Sequence, residues 1–112
     1  MADRTLTTNT QTHSRSVSNV ATGKWVADAG VTGVAMTFSV GFTPRYVAFV
    51  NATDRITDEW YDGMAADSAI ETAAAGTRTL ETSGGLTIST GQFVAHADLV
   101  PASKTGYWVA IG

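Results

Sequence analysis

Apolar and polar residues alternate along most of the chain in short runs, and glycine, proline, asparagine and aspartate separate these runs. An alternation with a period of two places every second side chain on the same face of an extended strand. Runs that alternate in this way or are rich in β-branched and aromatic residues are typical of strands. They are residues 17–26, 34–40, 45–52, 56–61, 77–82, 86–89, 92–95 and 105–111.

Residues 64–75 are the ambiguous segment, because their alanines also suit a short helix. We expect a loop followed by a strand at about 69–74, since the segment is too short and too weakly capped to hold a helix by itself. Gly23 predicts a turn or a bulge, and Pro44 predicts a corner or a strand entry. Two dipeptides of the hairpin type separate the later runs. They are Gly84-Gly85 and Thr90-Gly91.

The number and spacing of these runs predict the fold class. Seven to nine short strands, spaced roughly 8–12 residues apart, are typical of a β-sandwich or a small barrel. We therefore predict an all-β fold, a β-sandwich or jelly-roll-like arrangement of short antiparallel strands. The chain has 112 residues, which is the length of one domain. Residues 17–112 are predicted to form that single domain.

Residues 1–16 differ from the rest because Leu6 is their only large apolar residue beyond Met1. A segment with so little apolar surface cannot order itself by burial. We predict an N-terminal arm that is either frayed or extended across a neighbouring subunit, and both alternatives stay open.

Composition narrows the classes of partner. The net charge is −3 and the seven lysines and arginines are scattered, so nucleic-acid binding is not expected. The longest apolar stretch is far shorter than a membrane-spanning helix, and no membrane partner is expected. The chain has no cysteine, which excludes disulfides and thiolate metal sites and is compatible with synthesis in the cytoplasm.

Half of the ten acidic residues lie within fourteen positions. They are Asp54, Asp58, Glu59, Asp62 and Asp67. No calcium-loop motif is present, so we interpret the cluster as a solvated strand rim and turn. A metal site and a charge patch for a basic partner are the alternatives.

Catalytic chemistry is not expected. The chain has only two histidines, His13 and His96, and no serine in a nucleophile-elbow context. We therefore predict a protein that is not an enzyme and that needs no cofactor. A hydrolase using Asp58, Glu59 or His96 is the alternative, and it requires a concave polar pocket.

Two pairs of adjacent aromatic residues lie within predicted strands, Trp60-Tyr61 and Tyr107-Trp108. Neighbours in a strand face opposite sides of the sheet, so one member of each pair points away from the core. Large aromatic side chains outside a core mark an interface or a sugar platform. A second copy of the chain is the simplest partner for such a surface.

Three stretches together resemble small virion proteins of tailed bacteriophages. They are GFTPRYVAFVNATDRITDEWYDGM at 41–64, AAAGTRTLETSGGLTIS at 73–89 and VPASKTGYWVAIG at 100–112. The resemblance implies a β-sandwich or jelly-roll structural protein of the virion, assembled in the host cytoplasm. It implies a capsid decoration (cement) protein that stabilises the shell as a dimer or trimer on the major capsid protein. It carries over no catalytic residues.

The alternative that the resemblance leaves open is a tail or fibre module that binds a host surface glycan. That alternative predicts an exposed aromatic platform beside Asn51, Asp58 and Asp62. In either case, the candidate interface residues are the arm and the adjacent aromatic pairs. They are Arg4, Leu6, Arg15, Trp60, Tyr61, Tyr107 and Trp108.

Overall fold

The computed structural model describes residues 19–29 and 33–112. Within these ranges the chain forms eight strands and one turn of 3-10 helix, Ala97–Leu99, so the all-β prediction is confirmed. The strands are β1 Val20–Val26, β2 Met36–Ser39, β3 Tyr46–Asn51, β4 Ile56–Tyr61, β5 Ser68–Thr72, β6 Arg78–Ser89, β7 Gln92–Ala95 and β8 Thr105–Ile111. The predicted arm, with Arg4, Leu6 and Arg15, lies outside the described residues.

All eight strands belong to one antiparallel sheet with the order β1-β8-β3-β4-β5-β6-β7-β2. Strands β3 to β7 follow each other as consecutive hairpins, whereas β8 returns to pair with β3, and β1 adds to β8. The single sheet curls into a half-barrel, and the predicted sandwich of two stacked sheets is not confirmed. Within the curl, Phe38 of edge strand β2 reaches Trp108 of β8, with 5.7 Å between their ring centroids.

The core fills the inside of the curl with aromatic rings. Phe38 stacks on Phe93 at 4.8 Å, and Trp25 stacks on Phe49 at 5.2 Å. The Trp25 indole also donates a hydrogen bond to the Val50 carbonyl at 3.1 Å, which satisfies its polar group in the interior. One sheet can therefore enclose its own core, because side chains from its two ends meet inside it.

Two glycine predictions turn out differently from each other. The Thr90-Gly91 hairpin is confirmed, since Ser89 pairs with Gln92 across it. The Gly84-Gly85 hairpin is wrong, because β6 runs through both glycines and the β5–β6 register shifts beside them. A Cβ on Gly85 would collide with the Ser68 backbone, so this position needs glycine for close strand approach rather than for a turn.

Gly23 is likewise not a turn or a bulge but an interior residue of β1, paired with Trp108. A Cβ at Gly23 would lie 2.5 Å from the Trp108 Nε1 atom, so the glycine leaves room for the indole. The expectation for 64–75 is confirmed, because a loop there leads into β5 rather than into a helix. No helix in the described part of the chain is long and apolar enough to span a membrane.

Candidate functional site

The convex side of the sheet, which we call the outer face, carries an apolar surface on strands β1, β8, β3 and β4. Cross-strand pairing aligns its side chains into rows, one of which runs from Val20 through Ile111 and Tyr46 to Tyr61. We define the outer patch as the apolar side chains that these strands direct outward. They are Val20, Val26, Tyr46, Ala48, Val50, Tyr61, Tyr107, Val109 and Ile111.

Several side chains of the outer patch are open to solvent. Val26 is 61% exposed, Val20 57% and Tyr107 55%. The alternation that directs them outward also directs Trp25 and Trp108 inward from the same two strands. Single exposed apolar residues are ordinary on protein surfaces, but a contiguous group on one sheet face marks an interaction site.

The two aromatic pairs divide as their spacing predicts, with one ring outward and one inward in each. Tyr61 and Tyr107 belong to the outer patch. Trp60 is buried and donates a hydrogen bond to the Ala65 carbonyl at 3.3 Å, and Trp108 packs against the core. Trp60 and Trp108 are therefore corrected from interface candidates to core residues, because their strands turn them into the curl.

A hydrogen-bond network anchors one end of the outer patch. The Glu59 carboxylate accepts hydrogen bonds from the hydroxyls of Tyr46 at 2.9 Å and Tyr61 at 3.2 Å, and it contacts Arg78 at 3.3 Å. Partial burial raises the pKa of the Tyr46 hydroxyl to about 12, and its hydrogen bond to the charged Glu59 adds to the effect. This network fixes the orientation of both rings.

The same two tyrosines line a shallow open cleft of about 320 Å³. Their rings meet edge to face with centroids 5.1 Å apart, and Ile111 completes the apolar lining. Arg45 and Asp62 form the polar rim and contact each other at 3.5 Å. We call this the tyrosine cleft. Sequence reasoning missed the role of Tyr46, which the β3–β4 hairpin brings opposite Tyr61.

Asp58 lies on the opposite, inner face, and its placement corrects the expectation of a solvated rim. It is 1% exposed and pairs with Phe49 on β3 and Glu71 on β5. Neither of its buried carboxyl oxygens has a hydrogen-bond partner within the described residues, and the carboxyl group of its cross-strand neighbour Glu71 is close enough to affect its pKa. Burial raises the pKa of Asp58 to about 8, with further contributions from Glu71 and Glu81.

A narrow cavity of about 40 Å³ opens on the same inner face. Asp58 does not line it, but its two cross-strand partners, Phe49 and Glu71, do. A cavity of that size admits only one or a few water molecules. The alternation in β4 already groups Asp58 with Ile56 and Trp60, and this is the signal in the sequence that indicates its burial.

The other acidic residues of the 54–67 cluster are dispersed. Asp54 contacts Lys104 at 3.2 Å, and Asp67 accepts a hydrogen bond from the Gly84 amide at 3.1 Å. Across residues 19–29 and 33–112, no three histidine or acidic side chains are arranged to hold a metal ion. These acidic residues are therefore clustered in the sequence but not in the folded structure.

The residues of the hydrolase alternative do not form one constellation. Asp58 faces into the curl, whereas its neighbour Glu59 faces outward and is engaged by two tyrosines. His96 precedes the 3-10 helix, where its Nδ1 atom accepts a hydrogen bond from the Asp98 amide at 3.1 Å. Asn51, also proposed for a glycan platform, is buried on the inner face and bonds to Asp54.

No family model, no curated protein and no solved structure matches this chain.

Proposed function

We propose that this chain is a structural protein of a tailed-bacteriophage virion, and that it acts as a capsid decoration protein. In this role it binds the major capsid protein and other copies of itself, and it stabilises the shell through many contacts of modest individual affinity. The observation that carries the proposal is the outer patch, a largely apolar sheet face that the described residues leave exposed to solvent.

Two further features support this proposal. The inner face of the curl is filled by the chain's own core, so the outer face is the broad apolar surface left for assembly. The residues that carry the resemblance to phage virion proteins also include the whole of β3, β4 and β8, which supply most of the outer patch. The virion location itself rests on that resemblance.

The test is the protein composition of purified particles from the phage whose genome encodes this chain. Quantitative mass spectrometry is expected to find the chain in hundreds of copies per particle, and purified protein is expected to co-sediment with heads that lack it. A handful of copies would indicate a tail component instead. Absence from the particles would refute the proposal.

A tail or fibre module that binds a glycan is the second candidate, and the tyrosine cleft favours it. Exposed tyrosine rings offer stacking surfaces for sugars, and Asp62 and Arg45 supply hydrogen-bonding groups beside them. Binding on a glycan array that is abolished by Tyr61→Ala and retained by Leu80→Ala, an exposed residue away from the cleft, would support it. If no glycan on the array gives a signal, glycan binding is excluded for the glycans that the array carries.

A further inference from the structure

The area and composition of the outer patch indicate what covers it. Five of its members, each 43–61% exposed, leave roughly 500 Å² of side-chain surface, if a large side chain contributes about 150–250 Å². They are Val20, Val26, Tyr61, Tyr107 and Ile111. A stable interface of standard size buries about 800 Å² on each partner. The rest of such an interface would come from the half-buried patch residues and from the exposed polar residues of the same face, Thr22 and Lys24.

The charges around the patch fit a second copy of the same surface. A face that packs against itself must not bring unpaired like charges together. Glu59 is already held by Arg78 and by two tyrosine hydroxyls, and Asp62 is held by Arg45. The acidic groups beside the patch are therefore compensated within one copy, and they do not repel the same groups of another. Lys24 lies opposite Tyr107 on the same face and forms no ion pair within the described residues. Because β1 is an edge strand, the lysine can keep its charge in solvent at the rim of the interface.

The surface shape of the outer patch is also suited to the packing of two sheets face to face. On β8, Tyr107 and Ile111 stand on either side of Val109, and the cross-strand partners of Val109 are the short residues Thr22 and Ala48. A row of short side chains between larger ones forms a groove that can accept a ring from a facing sheet. Two sheets that pack in this way interdigitate their side chains about 10 Å apart.

We infer that two copies of this chain associate through their outer patches, so that β1, β8, β3 and β4 of each copy form the two layers of an intermolecular β-sandwich. Each copy presents the same surface to the other, as a two-fold symmetric interface requires. The inference rests on the proposed function, because the dimer would be the unit that decorates the shell. The partner of the outer patch is then a second copy of this chain.

The experiment measures the oligomeric state of the full chain by sedimentation equilibrium over a range of micromolar concentrations. The wild type is expected to form dimers. Tyr107→Lys is expected to raise the dimer dissociation constant at least about 100-fold, because the two-fold axis repeats the buried charge on both sides. Leu80→Lys is the matched control, because Leu80 is 64% exposed on the same face of the sheet but lies on β6, two strands beyond β4 and outside the outer patch. It is expected to leave the dimer intact.

A second measurement does not depend on the stability of the lysine variant. Because the chain has no cysteine, Tyr107→Cys and Leu80→Cys each introduce a single thiol. A short bismaleimide is expected to cross-link two copies through position 107 and not through position 80. Tryptophan fluorescence reports whether each variant is folded, since Trp25 and Trp60 are buried and Trp108 packs on the core.

Three outcomes would overturn the inference: a wild type that is monomeric throughout, a dimer that Tyr107→Lys leaves unchanged, or cross-linking through position 80 in preference to 107. A monomer that is nevertheless found on virions would refute the dimer and leave the decoration role standing. A dimer that is absent from virions would refute the decoration role and leave the dimer standing.

Discussion

Replacing Asp58 by asparagine is expected to stabilise the protein and to reduce the dependence of its stability on pH. In the unfolded chain Asp58 ionises near the ordinary value of 3.8, whereas in the folded chain its pKa is raised to about 8. Between these two values the folded state binds one proton more than the unfolded state. The contribution of Asp58 to stability is therefore fully present below pH 3.8 and is lost as the pH rises through about 8.

The size of the effect follows from the same two values. Each pH unit in this window corresponds to about 1.4 kcal/mol, so the whole window sets an upper limit of about 6 kcal/mol. Relaxation of the surroundings of Asp58 reduces that limit, because the effective dielectric constant around buried ionisable groups exceeds that of a dry interior. We expect a difference of about 2–4 kcal/mol between weakly acidic and weakly alkaline solution.

Asparagine keeps the shape of the neutral acid and can donate a hydrogen bond to Glu71. Asp58→Asn should therefore unfold at nearly the same urea concentration as the wild type near pH 4, and at a distinctly higher one near pH 8. The assay is urea unfolding at a series of pH values, followed by tryptophan fluorescence and analysed as the difference in free energy of unfolding between the two proteins.

Asp62→Asn is the matched control, because it makes the same chemical change at a side chain that is 59% exposed and paired with Arg45 at 3.5 Å. Exposed ion pairs contribute about 0–1 kcal/mol, so this variant should differ little from the wild type at any pH. If the difference between Asp58→Asn and the wild type were the same at every pH, the folded protein would not hold Asp58 protonated, and the reasoning would fail.

Three further predictions concern packing and the tyrosine network. Gly106→Ala should destabilise the protein by about 3 kcal/mol or more, because the new Cβ would collide with the Val50 carbonyl. Gly76 lies in open space at φ 93°, so Gly76→Ala should cost only about 1–2 kcal/mol in backbone strain. Urea unfolding at neutral pH compares the two, and equal losses would contradict this account. Phe38→Ala should cost about 3 kcal/mol, because Phe38 contacts the rings of Phe49, Phe93 and Trp108, and a loss below about 1 kcal/mol would show that β2 does not close the core. Tyr46→Phe should remove the tyrosine ionisation near pH 12 from an ultraviolet absorbance titration, and its persistence in the variant would assign that pKa to another ring.

Local alternation was sufficient to predict the strands. In β4 and β8 the period of two places Tyr61 and Tyr107 on the face opposite Trp60 and Trp108, as the structure has them. Alternation separates two faces but does not identify the one that is buried. That choice depends on how the sheet curls, so all four aromatic residues were equal candidates until the fold assigned the tryptophans to the core.

The difference between two stacked sheets and one curled sheet depends on contacts between distant parts of the chain. Strand β2 pairs with β7, more than fifty residues later, and nothing within residues 34–40 specifies that partner. Gly84-Gly85 is a similar case, because the dipeptide is typical of hairpins and only the close approach of Ser68 requires glycine in mid-strand. Such requirements come from the neighbouring strand and are absent from the local sequence.

The candidate surface was predictable in kind but not in membership. Outward-facing Tyr61, Tyr107 and Ile111 follow from spacing, whereas Val20 and Val26 join them only because β1 pairs with β8. The burial of Asp58 was within reach of the sequence, since it shares a face with Ile56 and Trp60. Treating all five acidic residues as one solvated cluster led to the wrong prediction for Asp58. Residues adjacent in a strand lie on opposite sides of a sheet, so a run of acidic residues there is not a single surface.

The strand order has a consequence for how the protein reaches its native state. Strands β3 to β6 each pair with the next strand along the chain, so this meander from β3 to β7 can assemble through short loop closures. The β1–β8 pairing instead joins Val20 to Ile111, nearly the full length of the chain apart. We therefore expect the meander to form in the transition state for folding and β1 to dock on β8 after the rate-limiting step. Substitutions at the β1–β8 seam should then mainly accelerate unfolding, while those in the β3–β4 hairpin slow refolding.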